Sequence, residues 1–85
     1  MNINVLTPDA TIFEGEITSV KVPGTGGSFE ILTNHAPIVS ALTDGDVLLR
    51  KTDGTVLNFK VSSGFIEVQN NNVSLLVQGV SMHQK

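Results

Sequence analysis

The sequence predicts an all-β protein, a flattened antiparallel β-sandwich or barrel of about eight to ten short strands. Three observations point there. No segment sustains apolar residues at helical spacing. Short β-rich runs are instead punctuated by Gly, Pro, Asn and Asp every 8–12 residues or so. Late in the chain the alternation is clear: Leu57, Phe59 and Val61 fall on one face, with Asn58 and Lys60 on the other.

The runs follow one another in order. Residues 2–7 (NINVLT) end at Pro8-Asp9, and residues 10–22 (ATIFEGEITSVKV) end at the turn PGTGG. Residues 28–32 (SFEIL) lead into TNHAP, and residues 38–42 (IVSAL) lead into TDGD. Residues 47–51 (VLLRK) precede Thr52-Asp53-Gly54, where the Asp-Gly pair predicts a type I′ hairpin because Gly supplies positive φ without steric cost. Residues 55–61 (TVLNFKV) reach the turn SSG, residues 65–69 (FIEVQ) reach Asn70-Asn71-Asn72, and residues 73–79 (VSLLVQG) follow. Asn suits that last turn because it tolerates the left-handed region. In Val73, Leu75 and Val77 the alternation returns.

Leu48-Leu49, Phe65-Ile66 and Leu75-Leu76 are consecutive apolar pairs, so one member of each points outward. Such residues are either the scattered apolar exposure normal for a surface or a patch for a protein partner. Their contiguity in space decides between the two.

The chain of 85 residues predicts one domain over 1–85, with a mobile tail at 81–85. A domain of this size buries roughly 60–65% of its unfolded surface, which leaves a modest core. Hydrophobic content of 40% and charged content of 15% suit a folded soluble module. There is no Cys, so disulfides and thiolate metal sites are excluded. The net charge of -3 and the scattered basic residues argue against a nucleic-acid partner. No apolar run reaches the roughly 20 residues needed to span a bilayer. The opening MNINVLTPDA lacks a basic segment and a cleavage pattern, so no targeting peptide is expected.

Candidate chemistry fails residue by residue. Gly24-Thr25-Gly26-Gly27-Ser28 resembles a phosphate loop, but no Lys follows the glycines and the next run is strand-like. His35 has no Cys to activate, and Ser62-Ser63-Gly64 is not a nucleophile elbow. The other His, His83, lies close to the end of the sequence, too little for a metal set. Asp44-Gly45-Asp46 lacks the later ligands of a calcium loop. Glu14 and Glu16 share one side of a strand, a poor pair for acid–base work unless something covers them. These residues support no enzyme, no metal and no cofactor.

Order and spacing carry a resemblance. Thr7-Pro8, Phe13-Glu14-Gly15, Val22-Pro23-Gly24, Asn34-His35-Ala36-Pro37, Ser62-Ser63-Gly64-Phe65-Ile66-Glu67-Val68 and Asn72-Val73-Ser74-Leu75-Leu76 occur in sequence along nearly the whole chain. In this the chain resembles the N-terminal β-domain of the epsilon subunit of rotary ATP synthases. The resemblance implies a non-catalytic rotor subunit in the central stalk that links the gamma subunit to the membrane c-ring. It couples proton or sodium flow to ATP synthesis, at the cytoplasmic face of a bacterial membrane as a peripheral subunit. It also implies that Gly24, Thr25, Gly26, Gly27, Ser28 and Glu30, with Asn34, His35, Ala36 and Pro37, face the c-ring. Phe65 and Leu76 are the candidates for the gamma side. The family often has an acidic residue where this chain has Ser28, and Gly where it has Glu30. Most relatives continue into a C-terminal helical hairpin that restrains ATP hydrolysis. Either this chain is a natural short form or it is truncated before the hairpin; of the two we expect the natural short form, which couples rotation without that brake. Two further readings remain on the residues alone. One is a β-sandwich ligand-binding module, for sugars for example, although Phe13, Phe29, Phe59 and Phe65 are the only aromatic residues. The other is a minimal hydrolase built on His35.

Overall fold

Alternating apolar residues become nine strands in the computed structural model, which describes residues 1–82. They are β1 (Asn2–Leu6), β2 (Thr11–Gly24), β3 (Gly27–Leu32), β4 (Ile38–Leu42), β5 (Gly45–Lys51), β6 (Val56–Val61), β7 (Ser63–Gln69), β8 (Asn72–Gln78) and β9 (Ser81–Met82). The described residues contain no helix. The expected tail falls partly outside them: His83, Gln84 and Lys85 are not described, while Ser81 and Met82 pair with β6.

Strand β2 organises the molecule. Its first half pairs with β1 through Asn2↔Glu16 to Leu6↔Thr11. Its second half pairs with β5 on one side and β3 on the other. The ladder to β5 is irregular between Ile17 and Ser19, where the strand passes from one layer to the next. Strand β1 also pairs with β8, and β8, β7 and β4 follow in order until Gly24 of β2 meets Leu42 of β4. The circuit β1–β8–β7–β4–β2 is thereby closed, and β3, β5, β6 and β9 extend from β2 as the second layer. All pairings are antiparallel except β1–β8, which is parallel, a departure from the wholly antiparallel expectation.

Between the layers lies one cluster of sixteen buried apolar residues, from Ile3 and Val5 to Leu75 and Val77, with Phe59 the largest of them. Phe59 and Val61 point inward as the alternation predicts, with Leu57 half-buried beside them. Each consecutive pair also resolves. Leu49, Ile66 and Leu75 are buried, whereas Phe65 and Leu76 face solvent and Leu48 is half-buried.

Three turns differ from expectation. Pro23-Gly24 belongs to β2, and only Thr25-Gly26 make the turn. Backbone N–H and C=O of one strand residue point the same way. Pro23 C=O accepts the Thr43 N–H at 2.9 Å, so its missing donor would have faced that turn and not the β3 ladder. At the β5–β6 connection only Gly54 has positive φ, at 91°, and its N–H bonds Lys51 C=O at 3.0 Å. Thr52 and Asp53 therefore occupy the turn centre and Gly54 forms a bulge, in place of the expected type I′ pair. Ser63 and Gly64 belong to β7 and not to a turn. A Cβ on Gly64 would run into the Leu76 carbonyl oxygen, so only Gly lets β7 lie this close to β8. Asn70 and Asn71, at φ 52° and 61°, form the predicted left-handed turn.

Candidate docking surface

The β2–β3 hairpin is closed by Gly24 opposite Gly27, with Thr25 and Gly26 exposed at its tip. A Cβ on Gly24 would sit 2.6 Å from the Phe29 ring and 2.7 Å from Gly27 C=O, which only Gly avoids. Thr25 N–H donates to Ala41 C=O at 3.2 Å, so the tip is tied to the end of β4. Ser28 and Glu30 project from β3 on its exposed side, opposite Pro23 and Lys21 respectively.

The second candidate loop follows β3. Asn34 has φ 68°, a conformation Asn accepts more readily than most residues. His35 N–H donates to Leu32 C=O at 3.1 Å, and its ring Nδ1–H donates to Ala36 C=O at 2.7 Å. Its Nδ1 is therefore bonded to a backbone carbonyl of its own loop and not to a carboxylate as in a catalytic triad. Ala36 and Pro37 are exposed beyond it. Among the described residues no group of three or more His, Asp or Glu side chains is placed to hold a metal ion.

These two loops do not form one patch. They flank the six-residue strand β3, which at about 3.4 Å per step holds its ends about 17 Å apart. Strand β3 pairs only with β2, so the ten residues trace one edge of the sandwich.

Phe65 and Leu76, by contrast, come together. They are direct partners in the β7–β8 register, 58% and 51% exposed. Leu6 of β1 lies opposite Leu76, and Ala41 of β4 lies opposite Phe65. Leu6, Leu76, Phe65 and Ala41 thus form an apolar row across four neighbouring strands, about 14 Å long at the usual strand spacing. Val39, two residues along β4 and 71% exposed, extends it on the same face. Thr7 and Pro8 rim a hollow of about 220 Å³ beside Phe65 and Leu76. Leu6, Val39 and Ala41 are absent from the sequence-based candidates because only the register places them in the row. These residues are thus contiguous in space and not scattered.

A broader concavity of about 610 Å³ lies over the other layer, between the β2–β3 and β4–β5 turns. Lys21, Asp44, Asp46, Leu48 and Asn58 are among its lining residues, and no aromatic ring lines it, so it offers no stacking platform for a sugar. Among the carboxylates, Asp53 is held below its ordinary value of 3.8 by the backbone N–H of Thr55, whose donor lies 2.8 Å away. That bond stabilises the β5–β6 turn.

These features define a class: small β-sandwiches that present an apolar face and a rim of polar turns. The chain belongs to the family described as ATP synthase, Delta/Epsilon chain, beta-sandwich domain, whose model matches residues 1–82. It is 40% identical over 79 residues to the ATP synthase epsilon chain of Chlorobium limicola, covering 93% of this chain and 90% of that protein. It is 43% identical over 76 residues to the epsilon chain of Leptospira borgpetersenii serovar Hardjo-bovis, covering 89% of this chain and 59% of that one. The relatives thus include proteins of similar length and others that the chain spans only in part.

Solved structures agree on the fold. A chain in the mitochondrial ATP synthase of Euglena gracilis (OSCP/F1/c-ring, rotational state 1) superposes with a TM-score of 0.87 at 18% identity, over 94% of this chain and 51% of that one. A chain in the central stalk/c-ring structure of the Tetrahymena thermophila mitochondrial ATP synthase gives 0.80 at 18% identity, over 95% and 65%.

Proposed function

We propose that the chain is a non-catalytic rotor subunit in the central stalk of a proton- or sodium-driven ATP synthase. In this reading it links the gamma subunit to the c-ring and passes ion-driven rotation toward the sites of ATP synthesis. It sits at the cytoplasmic face of a bacterial membrane only through that complex. Family membership supports the assignment. The two solved structures whose chains share its fold are an OSCP/F1/c-ring assembly and a central stalk/c-ring assembly.

The observation that carries the reading is the apolar row Leu6, Leu76, Phe65 and Ala41. An interface core needs apolar area that packs on assembly, and large aromatic residues are its usual anchors. We assign that row to gamma, and the edge formed by β3 and its two flanking loops to the ring. The closed circuit of strands gives stiffness, because pairing leaves few free edges to shear. Load passing between two partners requires a body that keeps its shape.

Co-purification of the chain with gamma tests the first contact, and binding of the resulting pair to c-rings in detergent tests the second. Retention of gamma by the wild type and its loss on Leu76→Glu supports the assignment. A chain that fails to retain gamma under any salt condition contradicts it.

A further inference from the structure

Asn34 and Asn71 are 37 positions apart, yet two hydrogen bonds close a ring between them. Asn34 N–H donates to Asn71 Oδ1 at 2.7 Å, and Asn71 Nδ2 donates to Asn34 Oδ1 at 3.0 Å. Both residues have positive φ, at 68° and 61°. The Asn71 carbonyl in turn accepts the Asn2 N–H at 2.9 Å. One residue thus joins the β3–β4 loop, the β7–β8 turn and the start of β1.

We propose that Asn71 is a positioning residue that fastens the 33–37 loop to the β7–β8 hairpin. The loop otherwise projects from the end of an edge strand, held within itself by the His35 bonds. The hairpin it is fastened to carries Phe65 and Leu76. The latch therefore connects the loop assigned to the ring with the strands assigned to gamma. Its purpose rests on the rotor reading, but its existence as a restraint does not.

Removing or keeping a hydrogen-bonding side chain at each position provides the test. Asn71 supplies the only side-chain donor of the pair, and Asn34 supplies a side-chain acceptor. Asn34→Asp keeps an acceptor for Asn71 Nδ2 and strengthens that bond by charge. Asn71→Asp keeps the acceptor for the Asn34 N–H and can take a second bond from Asn34 Nδ2 after a flip of that amide, so it also leaves the latch closed. The two variants are near-isosteric, carry the same added charge and suit the left-handed region. Asn71→Gly removes the side chain and leaves Asn-Gly, the preferred type I′ pair, so the turn itself survives.

Amide hydrogen exchange of the full chain is read at Asn34 and His35 as a ratio to core amides such as those of Val20 and Ile66, which normalises any change in global stability. Asn71→Gly should raise that ratio about three- to tenfold, the effect of one typical net hydrogen bond or slightly more, whereas Asn71→Asp should not. Asn34→Asp should leave it unchanged or lower it. An unchanged ratio in Asn71→Gly overturns the proposal, as does a rise in either Asp variant as large as that in Asn71→Gly. A loop that is latched in this way but never touches a c-ring would sink the partner assignment and leave the latch standing.

Discussion

Phe65→Ala separates binding from folding. Aromatic side chains bury about 150–250 Å², and Phe65 is 58% exposed, so about 85–145 Å² remains available to a partner. At about 25 cal/mol per Å² that area contributes about 2–3.5 kcal/mol on assembly. Gamma affinity should therefore fall about thirtyfold to three-hundredfold. The part of the ring already packed within the chain is smaller, and losing it costs about 1.5–2.5 kcal/mol of folding stability by the same coefficient. A domain of this length has a few kcal/mol more than that to lose, so the variant stays folded. Calorimetric titration with purified gamma measures the first quantity and urea unfolding the second. A folded variant whose gamma affinity stays within about threefold of wild type would refute the assignment of the apolar row, since that is under 1 kcal/mol.

Other substitutions probe the fold. Phe59→Ala empties the largest fully buried side chain and should cost about 3–5 kcal/mol, seen as a sharply lowered urea midpoint or loss of the cooperative transition. Gly64→Ala drives a methyl group into the Leu76 carbonyl, and the strain should lower the melting temperature far more than a surface Gly→Ala at Gly26, which has open space around it. Asp53→Ala removes the acceptor of the Thr55 N–H and should loosen the β5–β6 turn, raising exchange at the Thr55 amide. Because the Asp53 carboxyl is depressed in the folded chain, its contribution is complete above about pH 4 and disappears as pH falls through the folded value. Wild type and Asp53→Ala should accordingly converge in acid, and a gap that persists at pH 2 would contradict the sign.

Turn chemistry made most strand boundaries readable, since Pro8-Asp9, the Asn run and the Asp-Gly pair interrupt alternation that has no helical rival. Where the reading slipped, the information was tertiary. Pro23 stays in β2 because its missing donor faces a turn that brings Thr43 alongside. Thr52-Asp53-Gly54 contains the right residues for a hairpin, but the bond from Gly54 N–H to Lys51 C=O places its centre one residue earlier. The parallel β1–β8 pair joins segments whose pairing no local pattern encodes.

The candidate surfaces show the same limit. Parity alone says that one of Phe65 and Ile66, and one of Leu75 and Leu76, must face outward. It does not say that the two outward residues meet, or that Leu6 and Ala41 complete the row. Gly24–Ser28 and Asn34–Pro37 look adjacent in sequence, yet the extended strand between them carries each to a different end. Asn71 drew notice only for its tolerance of positive φ, and nothing nearby in sequence points to Asn34.

The parallel seam between β1 and β8 has a consequence for synthesis. Asn2 finds its partner at Asn72, 70 positions later, so the circuit stays open until β8 has left the ribosome. Leu6 meets Leu76 only at that moment. A nascent or prematurely terminated chain therefore lacks the assembled row, and a partner that reads the row recruits only chains that have finished closing.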